Sequence, residues 1–554
     1  MTASRTESYT RSPGDPFMKN CAFALAVVFA LVCAVSPAIS DEGHHHEELT
    51  AEQLGTVHFP TSCAADSQKT FEKGVALLHS FWYEEARKTF EGLKKSDPKC
   101  AMAYWGHGMS LWHQLWNRPD AETRKQGESD VKKARSLKPK TQRERDYIDA
   151  LGNFYAVGNK SHDERARAYS DAMAKVYEKY PDDHEAAAFY ALSLLAVEPE
   201  NDATFVDRKK AAAVLEKLFA SEPNHPGVAH YLIHAYDKPQ LAQLGLPAAR
   251  RYAQVAPAAP HALHMPSHIF ARVGLWQDDI DSNLASVAAT RKTAAMQMGG
   301  ASHQFHALDY LVYAYLQSGR EDEALKVIEE VKTMPAMKME GMDDDLHAFA
   351  LAKYPAMVAI EMHRWADAAA LTPVPGASKS DLAITHTARA IGASRSGKPE
   401  QAKNDIAELK KIEDGFQSSG KKYSSDWVHM NRMEAEAWLA HAEGRNDEAI
   451  ASLRKVSDEE DSVGAEQAWM PAREMLADML LEANRPQDAL AEYDRALKFY
   501  PNRFDGLYGA ARAAEMAGKN EQAAAYYAQL LKSCEKSNST RPELSRAKEL
   551  VAKK

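Results

Sequence analysis

Apolar residues recur along this chain at three- and four-residue steps, the period of helices that bury one face. Nowhere do Val, Ile and Thr gather into the alternating runs that mark strands. The helical steps are punctuated at regular intervals. From Gly74 through Leu77, Tyr83, Ala86, Phe90 and Leu93 to Pro98, small residues stand where two helices must approach and large ones where they interlock. Similar strings return at Gly319, Ala324, Ile328 and Val331; at Gly397, Ala402 and Ile406; at Gly444, Ala449 and Leu453; from Pro486 through Ala489, Tyr493 and Ala496 to Pro501; and at Gly518, Ala523, Tyr527 and Leu530. The pattern predicts helix pairs repeated along the chain. One such pair cannot bury its own apolar stripe, so neighbours must stack and the end units must be capped. The polar stretch 536–554 is the expected C-terminal cap.

These strings resemble the tetratricopeptide repeat, and the resemblance covers nearly all of residues 67–535. It implies an all-α fold, a right-handed superhelical solenoid of about eleven to twelve helix–turn–helix units, each 34 residues long in this family. Aligned on Pro98, Pro223, Pro257 and Pro501, units start at 67, 101, 226, 260, 470 and 504, with others near 184, 305, 349, 383 and 430. Residues 121–183 fit the repeat poorly. The resemblance also implies that the first helix of each unit lines a concave groove, the expected working surface.

His230 and His264 stand 34 residues apart, as do His234 and His268. Two successive units therefore carry an i,i+4 histidine pair on their inward face. The following unit offers His306, Asp309 and Tyr313 at inward positions, and His261 holds such a position in the unit before. Neutral imidazole and carboxylate are ligands for divalent zinc, copper or iron. The candidate metal ligands are thus His230, His234, His264, His268 and Asp309, with His261, His306 and Tyr313 lining the groove beside them. The same residues also suit proton transfer, or a peptide held by hydrogen bonds, and buried histidines can simply satisfy backbone carbonyls. Lys238 and Arg272, again one repeat apart, are candidates for an acidic ligand. His79 and His113 form a second column among Trp105, Trp112 and Trp116, whose first reading is packing between helices.

Charge narrows the partners. The 68 basic and 78 acidic residues are mixed along the chain, and no basic block could neutralise a run of phosphates, so nucleic acid is not expected. The amino terminus adds a location. Met18-Lys19-Asn20, an apolar run from Cys21 to Val35 and the small-residue Ala38-Ile39-Ser40 read as a secretory signal over residues 1–40, with the start at Met18. The run is shorter than the roughly 20 residues a membrane-spanning helix needs. The protein is therefore expected to be exported, periplasmic or secreted, without a transmembrane anchor. An extended segment over 41–66 follows, with His44, His45 and His46 near its start. In an oxidising compartment Cys63 and Cys100 are the candidate disulfide, leaving Cys534 as a free thiol.

The sequence holds no phosphate-binding glycine loop, G-x-S-x-G elbow, H-E-x-x-H or paired-cysteine redox motif. Two functions remain. One is a scaffold that holds a peptide or protein in its groove and has a histidine-lined centre able to take a divalent metal. The other is a metalloprotein or metal-dependent enzyme built on the His/Asp cluster of residues 230–309.

Overall fold

The computed structural model describes residues 49–554, except 116–117, 157, 200–201, 339–344, 465–469 and 553–554. The signal segment, His44, His45, His46 and Trp116 lie outside the described residues. Among those described, regular structure is helical throughout, and the chain is an all-α solenoid. None of its helices is long and apolar enough to cross a membrane.

Glycine spacing explains why the hairpins stack so closely. Phe90, on helix Tyr83–Ser96, inserts its ring over Gly74 of the preceding helix and Gly106 of the next. A Cβ would lie 2.6 Å from the ring at Gly74 and 2.3 Å from it at Gly106. Tyr493 makes the same approach to Gly509 near the other end, at 2.3 Å. Thus in both places an aromatic on the second helix of a unit packs where the following first helix has no side chain. Residues 121–183 form three helices, Ala121–Ser136, Gln142–Phe154 and His162–Lys179. Their starts are set by Asp120, Thr141 and Ser161, whose side chains accept the amides of Thr123, Glu144 and Glu164. Within them Gly127 still admits a ring, that of Tyr155, so the close packing persists where the repeat spacing is lost.

Within Leu49–Lys554 the C-terminal repeats pack back onto the central ones. Trp276 Nε1 donates to the carbonyl of Asn502 at 2.8 Å, and the Phe504 amide donates to Gln317 Oε1 at 3.0 Å. Arg503 is wholly buried and donates to Tyr313 Oη at 2.7 Å and to Glu361 and Glu474. Lys238 Nζ donates to the Gly464 carbonyl at 3.0 Å. Lys238 and Tyr313, which the repeat register assigns to an open groove, are thereby engaged by the C-terminal repeats.

Candidate metal centre

Three first helices build the centre. Pro226–Tyr236 begins on a proline already set for helix, and His225 caps it by accepting the Val228 amide. It carries His230 and His234. The next unit's first helix comes in two pieces, Pro260–His264 and Pro266–Arg272. Pro266 has no N–H for the carbonyl of Ala262, so the helix breaks between His264 and His268. The third helix, His303–Gln317, brings His306 and Tyr310.

Six imidazoles gather into two trios. In one, His264 Nε2 lies 3.0 Å from His268 Nε2, which lies 3.3 Å from His306 Nε2. In the other, His230 Nε2 and His234 Nε2 are 3.1 Å apart, and within each trio all ligand atoms, including those of His261, fall within 4.8 Å of one another. Two nitrogens bound to one tetrahedral ion at about 2 Å would lie about 3.3 Å apart, so the observed spacings are those of a coordination shell. The trios adjoin: the His261 and His264 rings are 6.0 Å apart between centroids, and those of His234 and His268 are 6.4 Å apart.

Outer contacts decide which nitrogen of each ring carries the proton. Asn283 Nδ2 donates to the carbonyl and carboxylate of Asp279, so its Oδ1 faces His264 Nδ1 at 2.6 Å as an acceptor. His264 Nδ1 must donate. His268 Nδ1 donates to Asp237 Oδ2 at 2.7 Å, and Arg272 Nε holds the other oxygen of that carboxylate at 3.0 Å. His264 therefore presents its Nε2 lone pair to His268 Nε2 across 3.0 Å. Burial, and next the charge of neighbouring imidazoles, holds His264 and His306 well below the ordinary histidine pKa, so both are available as neutral ligands. The first trio differs. His230 Nδ1 donates to the His79 carbonyl at 2.6 Å, and His234 Nε2 can donate to His230 Nε2. Burial pushes His234 down to about 3 and leaves His230 and His261 well below their usual range.

Aromatic rings wall the chamber. Phe81 has a φ of 51°, a left-handed conformation that costs a bulky residue energy, and it forms the turn that presents its ring to the first trio. It stacks on His261 at 5.6 Å and meets His230 edge-on at 4.4 Å. Tyr310 stacks on His268 at 4.6 Å. A narrow pocket lined by Trp276, Tyr310, Tyr313 and Tyr500 reaches His268.

Other candidates from the sequence lie elsewhere or act differently. Asp309 is in neither trio; its Oδ2 accepts from Lys353 Nζ at 2.6 Å, because it faces helix Leu346–Glu361 rather than the chamber. His261 and His306, expected beside the ligands, stand among them. Tyr313 is engaged by Arg503, Lys238 by the carbonyls of Val463 and Gly464, and Arg272 by Asp237. His79 and His113 do not share a site. His79 Nε2 meets Glu185 Oε2 at 2.8 Å, and the other oxygen of Glu185 holds His225 at 3.0 Å, a buried His–Glu–His group behind the first trio. His113 stacks on Tyr83 at 4.0 Å, and burial pushes it down to about 4. Trp105 and Trp112 pack in the core, the latter on Phe154 at 3.6 Å. Cys63 and Cys100 are joined as a disulfide, and Cys534 is buried. Sequence reasoning missed Asn283, Asp237 and His303; only His303, three residues before His306 and 4.9 Å from His261, carried a visible signal.

The family profile described as tetratricopeptide repeat matches residues 474–538. No curated protein matches the chain. Among solved structures, the TPR domain of P58(IPK) aligns at 13% identity, over 88% of this chain and 99% of that one, with a TM-score of 0.21. A human IFIT1 dimer with PPP-AAAA aligns at 12% identity over 85% and 91% of the respective chains, with a TM-score of 0.36.

Proposed function

We propose that this chain, a tetratricopeptide-repeat protein, binds transition-metal ions in its central repeats, through His264, His268 and His306 at one position and His230, His234 and His261 at the other. The architecture is that of a protein-interaction scaffold, and here the metal centre is what sets its function. One observation carries the reading: the Nε2 atoms of His264, His268 and His306 converge at 3.0 and 3.3 Å in a buried chamber, the spacing of ligands around one ion. A metal ion would be coordinated by all three. An all-imidazole set suits copper or zinc better than the non-haem iron sites that add a carboxylate. Asp237 and Asn283 would fix the ring orientations from behind, as outer partners of metal-bound histidines do. We place the protein outside the cytoplasm, a reading supported by the signal-like amino terminus and the Cys63–Cys100 disulfide.

The test is elemental mass spectrometry on untagged protein starting at Asp41, expressed with metal supplementation. Two equivalents of copper or zinc are expected, falling to one in His264→Ala/His306→Ala. Metal-free protein that also takes up neither ion on dialysis would refute the proposal.

A further inference from the structure

We infer that the two trios form one dinuclear copper centre that binds dioxygen between its ions. The inference rests on the metal-binding reading above and adds the metal's identity, the coupling of the sites and a ligand.

Charge selects the ion. All six ligands are imidazoles, and none is a carboxylate. The carboxylate closest to them in the hydrogen-bond network, Asp237, is already balanced by Arg272. Two divalent ions would bring four uncompensated positive charges into a chamber whose ligands His230, His261 and His264 are at most 2% exposed. Two copper(I) ions would bring two. Burying uncompensated charge is strongly unfavourable, so the monovalent pair is preferred, and three imidazoles satisfy it while leaving a position open on each ion.

Charge also selects the ligand. When dioxygen binds between two copper(I) ions, each ion gives one electron, and the O–O double bond becomes the single bond of peroxide. No proton enters and no bond to the protein breaks. The centre goes from two singly charged ions to two doubly charged ions plus a dianion, so its net charge stays at two. Oxidation thus adds no buried charge, which a water or imidazole ligand could not achieve. The two trios are neighbours, with ring centroids of different trios 6.0 and 6.4 Å apart. The pocket at His268, lined by Ala271, Arg272, Trp276, Tyr310, Tyr313 and Tyr500, is too small for a bulky substrate.

The full chain would be loaded with copper(I) without air, then exposed to dioxygen while uptake and the electron paramagnetic resonance signal are followed. Uptake of one dioxygen per two coppers, with almost no resonance signal because the oxidised ions are coupled, is the expected result. In His306→Ala, checked for folding by circular dichroism, dioxygen uptake should fall at least tenfold, and the copper left in the first trio should give a full isolated-copper(II) signal after chemical oxidation. If that variant fails to fold, His261→Gln serves the same purpose from the other trio. Two coppers that give two isolated signals, or that take up no dioxygen, overturn this inference and leave the metal-binding proposal standing. Failure to bind copper while zinc binds overturns it as well, and failure to bind either ion removes both.

Discussion

At the scale of single residues, the imidazole cluster depends on groups outside it. Asp237 and Asn283 turn the imidazoles of His268 and His264 so that Nε2 faces inward. Asp237→Asn keeps the shape but weakens the acceptor and leaves Arg272 without its counter-charge. Affinity at the second trio should fall about 10- to 100-fold, the usual consequence of removing such a partner, while the first trio is little changed. Competition titration with a chromophoric chelator would resolve the two sites. Equal loss at both would mean that Asp237 supports the helices and not the ring. These outer partners were invisible in the sequence for a physical reason. Asn283 lies on the second helix of its unit, 19 residues beyond His264, where no repeat register points to the groove.

At the scale of the helix pair, small residues set the spacing. Gly74→Ala places a methyl 2.6 Å from the Phe90 ring, and the ring cannot retreat because Gly106 confines it from the other side. A loss of about 1–3 kcal/mol is expected, the range for overpacking a filled core. Chemical denaturation would read it, and adding Phe90→Leu should recover part of it. Gly, Ala and aromatic spacing made this level legible, and the 34-residue period singled out two histidine pairs that the structure places in neighbouring clusters. Register failed for the trios because it treats every first helix as straight and equivalent. His268 meets His306 of the following unit, while His261, at the start of its helix, reaches back to His230 and His234. Asp309 shares their period yet faces Lys353, since periodicity gives a helix face and not what that face meets.

At the scale of the whole solenoid, the return of the C-terminal repeats was not legible, because it joins Tyr313 to Arg503 across 190 residues without a repeated motif. Arg503 is its hub, one guanidinium set between Glu361 and Glu474 with both carboxylates buried. Arg503→Met should cost about 3–5 kcal/mol by leaving those acids unpaired, read as a lower denaturation midpoint. One cation cannot balance two buried carboxylates, and burial pushes Glu361 up to about 8 despite Arg503 beside it. A folded-state pKa raised in this way stabilises the protein fully below the ordinary glutamate value. That stabilisation is lost as pH rises from there through about 8, because the unfolded chain releases its proton first. Glu361→Gln keeps an uncharged side chain beside Arg503 and Gln317 and removes the proton. The stability of the parent relative to Glu361→Gln should therefore decline by on the order of 1 kcal/mol per pH unit between pH 5 and 8. Taking the difference cancels the histidines, whose depressed values act in the opposite sense by favouring the folded state as pH rises toward neutrality. Parallel stability curves would mean that Glu361 is ionised when folded and that Arg503 pairs with it in preference to Glu474.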